Sequence, residues 1–440
     1  MTTTATQVES SEVPAPEMPA STERLMSLDA LRGFDMFWIV GADSLVYALH
    51  RMAQNPATNF LAYELDHAEW EGLHFYDLIF PLFVFIMGVS LVFSLGKTVA
   101  RAGRAEAIKR IVRRTILLFA LGIFYSGGLA SPWPDVRLMG VLQRIALAYF
   151  FGGLLFCFFK PRALATICAG LLLGYWALMA LVPVRDIQLS KSNLAKLAQQ
   201  AGDAGTAALF DQSRHNPMTE KNSPAQAAAE KMFYATTRYT RGKFEPGLNV
   251  ANHFDFRYLP GRKYDIFWDP EGYVSTIPAV ATCLLGIFAG WLLQRQDFTG
   301  KRKVILLVSF GVAAVLLGWL WHLEFPVIKK IWTSSFVLVT GGYSALLLAA
   351  FYLVVDVWKY QKWCRPFLWL GMNAITVYLV ANILGGFDRV ARRFVGGDIQ
   401  AFFNNHVATG SGELMTAAAG LLLALLFVRF LYSRSIFLRL

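Results

Sequence analysis

The apolar residues of this chain come in blocks of roughly 20, and no other feature of the sequence limits the fold as much. About 20 residues at 1.5 Å per residue cover the ~30 Å hydrocarbon core of a bilayer. A soluble core needs apolar residues at helical or strand spacing, not in unbroken blocks. The blocks lie at 28–49, 76–95, 111–128, 139–159, 163–182, 272–293, 304–321, 335–358, 364–384 and 414–432. They predict an all-α fold, a polytopic membrane helical bundle of about ten transmembrane helices. Composition agrees: 16% of residues are charged, against about 25% in a soluble domain.

The net charge of +11 is read in the same frame. Excess Lys and Arg mark the cytoplasmic side of short loops. With the N-terminus inside, the inner segments hold 21 basic residues and the short outer loops seven. This bias predicts N-in and C-in, and it removes the need for a nucleic-acid partner. The long polar segment 183–269 then falls outside, as a periplasmic loop between helices five and six. Residues 1–23, rich in Ser, Thr, Glu and Pro, read as a disordered cytoplasmic tail ahead of a transmembrane domain at 24–440. They lack the basic and apolar regions of a signal peptide. Cys157, Cys168, Cys283 and Cys364 show no ligand spacing and read as small apolar side chains, so no metal is expected.

Ionisable residues at membrane depth are costly and mark function by default. In the first block Asp29, Arg32 and Asp43 share one helical face. Asp29 and Arg32 sit near the inner end, where they form either an interfacial pair or a functional one. Asp43 lies about 20 Å further along. Next, His67, Trp70, His74 and Asp77 follow at helical spacing. Histidine suits general-base work near neutral pH. In a straight helix, however, His67 and Asp77 would stand about 15 Å apart. Their cooperation requires a break at Gly72. Gln143 and Arg144 enter the fourth block, at the level of Asp269 and Glu271 in WDPEG. Arg144 needs a carboxylate partner or a substrate. Asn373 is either an interhelical hydrogen bond or a ligand contact. The stretch KTVARAGRAEAIKRIVRR, with Arg110, Arg113 and Arg114, marks topology and also offers phosphate partners. The aromatic residues of 233–268 fit sugar binding and an interfacial belt equally. No Walker motif or strand-linked GxGxxG occurs, which argues against an ATPase or dinucleotide enzyme.

Five colinear motifs carry a resemblance: SLDALRGFDMFWIV, HAEWEGLHFYDLIFPLFVFIMG, GVLQRIALAYF, WDPEG and GMNAITVY. The chain resembles the heparan-α-glucosaminide N-acetyltransferase family, and within it the bacterial NagX-like branch. The resemblance implies a multi-pass enzyme of the bacterial inner membrane that moves acetyl from acetyl-CoA to an amino sugar of glucosamine or N-acetylglucosamine type. It allows a homodimer. It places the active-site histidine at His67 and the aspartate of a DLxFP motif at Asp77. A family asparagine falls on Asp43, a departure that exchanges an amide for a carboxylate.

On this reading His67, Asp77 and Asp43 are catalytic. Trp70, Gln143, Arg144, Asp269, Glu271 and Asn373 face the acceptor. Asp29, Arg32, Arg110, Arg113 and Arg114 face acetyl-CoA. Two rivals stand beside it: a secondary sugar transporter using the same intramembrane charges, and an O-acyltransferase acting on an envelope glycan.

Overall fold

In a computed structural model of the protein, residues 25–130, 132–212 and 224–438 are described. The expected tail at 1–23 lies outside the described residues. The chain is a polytopic all-α membrane protein. Among the described residues, seven helices are long and apolar enough to cross a membrane, or eight if the bent pair Arg365–Met372 and Ala374–Leu384 is one span. The expected figure was about ten, and the difference has two physical causes. The segment 26–52 carries Asp29, Arg32, Asp35 and Asp43, too many charges for its apolar content to declare it a span. The longest helical stretch, Phe75–Tyr125, is twice membrane length.

That long stretch folds back on itself at Gly103, where φ is +80°. Arg110 Nη1 donates to Thr98 Oγ1 at 3.1 Å. Twelve residues of straight helix would hold the two about 18 Å apart. The basic segment expected as a loop is therefore helical on both sides of a single glycine turn. Two further helices break inside the bundle. The first has a π-turn at Trp38–Ala42 with Gly41 at φ +136°. The ninth expected span bends by 78° at Asn373 instead of running straight. The short loop expected before the last span holds two helices, Phe387–Val395 and Asp398–His406.

Glycine seams set how closely the helices approach, as small residues do where lipid removes the hydrophobic drive to associate. A Cβ on Gly88 would stand 2.1 Å from the Cys283 carbonyl oxygen, and one on Gly286 would stand 2.0 Å from that of Phe85. This locks Ile79–Tyr125 against Tyr273–Gln294. A second seam joins Gly33 to Phe367 and Gly371 to Asp29. The four cysteines are free and buried.

The segment between Leu181 and Tyr273 is a small folded unit. It contains Lys191–Gln200, Ala204–Gln212, Pro224–Ala235 and Val250–Tyr258, and a two-stranded ribbon pairing Val184 with Thr240. Its own core includes Leu194, Phe210, Phe233, Phe256, Phe267 and Trp268. Several aromatic residues expected to bind sugar or lie in a belt are thus core residues of this unit. It docks on the bundle through Trp70, whose indole Nε1 donates to the Phe244 carbonyl at 2.8 Å and whose ring meets Trp268 edge-on at 5.6 Å.

Replacing Gly286 by Val forces branched carbons into a backbone carbonyl. Overpacking of this kind costs about 1–3 kcal/mol or more. Gly286→Val is expected to lower the thermal midpoint of the detergent-purified protein, whereas Gly174→Val, with open space around it, leaves it in place. Equal midpoints for the two variants would contradict the seam.

Candidate active site

The site is built around a reversal of the chain between His67 and Asp77. Gly72 takes φ +117°, a conformation that side chains with a Cβ resist. Asp77 is fully buried, and three of its contacts close this loop. His67 Nδ1 lies 2.8 Å from Asp77 Oδ1. The backbone N–H groups of Ala68 and His74 each donate to Oδ2 at 3.1 Å. An ionised carboxylate only accepts, so His67 carries its proton on Nδ1 and Nε2 keeps a basic lone pair. Tyr76 packs beside the ring, with centroids 5.1 Å apart, and its hydroxyl donates to Asp43 Oδ2 at 3.4 Å.

A cavity of about 700 Å³ opens at His67 and runs into the bundle. Along one helix it is lined by Ile79, Phe80, Phe83, Met87, Ser90 and Ser94. Fifteen residues of helix separate the first from the last, about 22 Å. At the His67 end it is also lined by Arg137, Arg144, Glu271, Lys329, Lys330 and Tyr264. At the Gly103 end it is lined by Arg32, Arg110 and Arg114. Asn373 lines it at the helix bend and keeps its Oδ1 without a partner. A second pocket of about 770 Å³ adjoins at the Gly103 end, shared through Arg32 and Arg110 and lined further by Asp29, Lys97 and Arg101. Arg32 bridges Asp29 at 3.0 Å and donates to Ser90 Oγ at 2.6 Å.

Several expected site residues are placed elsewhere. Asp43 reaches the histidine through Tyr76 and does not line the cavity. Trp70 has committed its indole N–H to the docking contact. Gln143 is buried against Gly122 and Gly140. Arg113 is exposed and lines neither pocket. Arg144 lines the cavity, but it does not pair with an acid. It donates to the Pro270 carbonyl at 2.5 Å and to Ser275 Oγ, and its guanidinium lies 4.8 Å from the Trp332 ring centre. The acids expected for it belong to Arg137. That guanidinium holds Asp269 with two hydrogen bonds of 2.9 and 2.8 Å and Glu271 with one of 2.7 Å. Burial opposes the charge on Arg137, yet Asp269 and Glu271 together hold its pKa above the usual arginine value. Asp269 is buried, with its remaining capacity taken by the N–H groups of Tyr264 and Glu271.

Sequence reasoning missed Lys329. Its Nζ lies 3.1 Å from Asp77 Oδ1 and 3.0 and 3.3 Å from His67 Nδ1 and Nε2. Burial pulls its pKa below the ordinary lysine value, against the attraction of Asp77. The sequence signal was there: KK inside the short apolar loop FPVIKKIW, a poor place for two lysines unless acids await them.

Beside this site, Asp255 is buried at the start of the Tyr273–Gln294 helix, where it accepts from the Tyr273 N–H at 3.2 Å. Burial first, and the nearby Asp269 charge second, push its carboxyl up to about 7. An acid with a raised folded pKa favours folding below its unfolded pKa and loses that contribution as pH rises through the folded value. Each unit is worth about 1.4 kcal/mol. Asp255→Asn keeps the acceptor oxygen and removes the charge. It is expected to raise the thermal midpoint relative to the parent protein at pH 8 and to match it at pH 4. A pH-independent difference would refute the buried-charge account.

Comparison with known proteins bears on this geometry directly. Residues 24–196 match the family model described as heparan-alpha-glucosaminide N-acetyltransferase, catalytic. The chain is 29% identical over 334 residues to the heparan-alpha-glucosaminide N-acetyltransferase of Homo sapiens, covering 71% of this chain and 48% of that protein. It is 27% identical over 339 residues to that of Mus musculus, covering 72% and 49%. The chain thus spans about half the length of the curated relatives it matches. Lys329 and Asn373 lie outside the family-model match. His67, Asp77 and the basic helical hairpin lie inside it, so the stretch holding the buried dyad is similar to the catalytic part of heparan-alpha-glucosaminide N-acetyltransferases.

Proposed function

We propose that this protein is a membrane acetyltransferase that moves the acetyl group of acetyl-CoA to the amine of an amino sugar of the glucosamine type. The observation that carries this reading is a single cavity with two chemically different ends. One end presents Arg32, Arg110 and Arg114, and the other presents His67 backed by Asp77. Ten crossings follow if the Gly103 hairpin is two spans and the segments 26–52 and 365–384 are one each. The Lys and Arg bias then supports a cytoplasmic Gly103 end with His67 towards the far side of the membrane, which we take to be a bacterial inner membrane.

The donor fits the Gly103 end by charge. Arg32, Lys97, Arg101 and Arg110 surround a pocket with room for the nucleotide phosphates. The apolar wall from Met87 to Ile79 suits an extended pantetheine arm and leads its thioester to His67. There His67 Nε2 accepts the proton of the attacking amine as the N–C bond forms and the C–S bond breaks. Asp77 fixes the ring orientation and stabilises the imidazolium, which returns the proton to the departing sulfur. The unpartnered Asn373 Oδ1 offers an acceptor to a substrate N–H or O–H midway along the cavity.

The test is release of free thiol from acetyl-CoA by purified protein, with and without glucosamine. His67→Ala is expected to cut amine-dependent release by roughly 10²- to 10⁴-fold; full turnover in that variant sinks the assignment. Sugar uptake into vesicles with no thiol release would favour a carrier instead. Arg110→Glu is expected to raise KM for acetyl-CoA severalfold while kcat at saturation stays near the parent value. A change confined to kcat would move Arg110 out of the donor site.

A further inference from the structure

We infer that Lys329 is a catalytic residue of this site, the donor that holds the thioester carbonyl oxygen as it becomes an oxyanion; this rests on the acetyl-transfer reading above. Three observations carry it. First, the ammonium borders the cavity over the His67 ring, 3.0 Å from Nδ1 and 3.3 Å from Nε2, within reach of the point where an attacking amine and its target carbonyl must meet. Second, it is placed by a rigid frame. Gly72 N–H donates to the Val327 carbonyl at 2.9 Å, and Glu71 bridges to Ile328. Thr333 Oγ1 accepts from the Ile328 N–H at 3.0 Å, and the Trp332 N–H donates to the Lys329 carbonyl at 3.0 Å. Trp332 itself is clamped by Thr282 and Arg144. The same loop reversal that builds the histidine dyad therefore builds the lysine's position. Third, the ammonium has capacity beyond its ion pair: of its three N–H donors Asp77 Oδ1, at 3.1 Å, takes one, so others remain to face the cavity.

At rest the Lys329 ammonium pairs with Asp77 Oδ1 and lies over the His67 ring. An incoming amine takes over Nε2, and the carbonyl oxygen beside it becomes the lysine's new partner. The amine nitrogen bonds to the carbonyl carbon and its proton passes to Nε2. The oxygen gains negative charge, held by a hydrogen bond from Nζ. The C–S bond then breaks, the carbonyl re-forms, and the imidazolium proton goes to sulfur. Lys329 keeps its own proton throughout. Donors aimed at a developing oxyanion act on the transition state and leave ground-state binding nearly unchanged.

The experiment compares Lys329→Met and Lys329→Cys with the parent protein in the thiol-release assay. Both are expected to lose about 10²- to 10³-fold in kcat, with KM for acetyl-CoA within about twofold. Alkylating the introduced thiol with 2-bromoethylamine restores an ammonium at nearly the same reach, and the native cysteines are buried. Recovery of at least a tenth of parent kcat is expected, with none after iodoacetamide, which adds a neutral group. Recovery also shows that the variant was folded. Unchanged kcat in Lys329→Met, or equal recovery with both reagents, overturns the lysine's role while leaving the acetyltransferase reading intact. A parent protein with no amine-dependent thiol release overturns both.

Discussion

A single buried carboxylate, Asp77, organises the reactive end of this protein. With no solvent exposure it must be fully paired to stay ionised, and the chain pairs it four times. Two backbone N–H groups close the loop, His67 Nδ1 closes the dyad and Lys329 Nζ brings in a loop from 262 residues beyond His67. Each contact solves a structural problem and sets a chemical property at once. The reversal at Gly72 places the histidine, the aspartate fixes its tautomer, and the aspartate's charge makes a lysine tolerable at the same spot. Removing the carboxylate would leave a cation and an imidazole facing each other in a half-buried corner.

The helices around this corner divide the labour. Along the Gly88–Gly286 seam the backbone is regular and close-packed, which leaves no room for adjustment. The breaks at Gly41 and Asn373 belong to the segments on the other side of the cavity. Irregular backbone at membrane depth survives where it is buried in protein or lines a cavity. A fixed wall and a broken wall together make a space long enough for an extended substrate arm.

Much of this was legible in the sequence because lipid imposes simple rules. Block length marked the seven or eight spanning helices among its ten, and the charges that disqualified segment 26–52 by composition were the same ones that singled it out as a candidate site. The requirement for a break at Gly72 also came from spacing alone, since His67 and Asp77 are incompatible in one straight helix. What stayed hidden were relations across the chain. Nothing local distinguishes Arg137 from Arg144 as the partner of Asp269, because one lies in the loop just ahead of the spanning helix and the other about one turn inside it. Lys329 was counted as an outer-loop charge, since its partners lie in another loop. The aromatic run 233–268 looked like a surface because its period is irregular. A small core packed between short helices and loops has no single period to read.

The docking contact of Trp70 ties two parts of the molecule that otherwise look separate. Its indole N–H grips the insertion at Phe244 only three residues after the histidine. The insertion is therefore not free to drift as a detachable appendage. Its half nearest the bundle, from Phe244 to Glu271, supplies the tether, the acids held by Arg137 and the start of a spanning helix. The distal half packs Leu194, Phe210 and Phe233 against Phe256, Phe267 and Trp268 of the proximal half, in one shared core. Because the two halves share one core, a change that disturbs the distal helices reaches the tether at Phe244 and, through Trp70, the loop that carries the histidine.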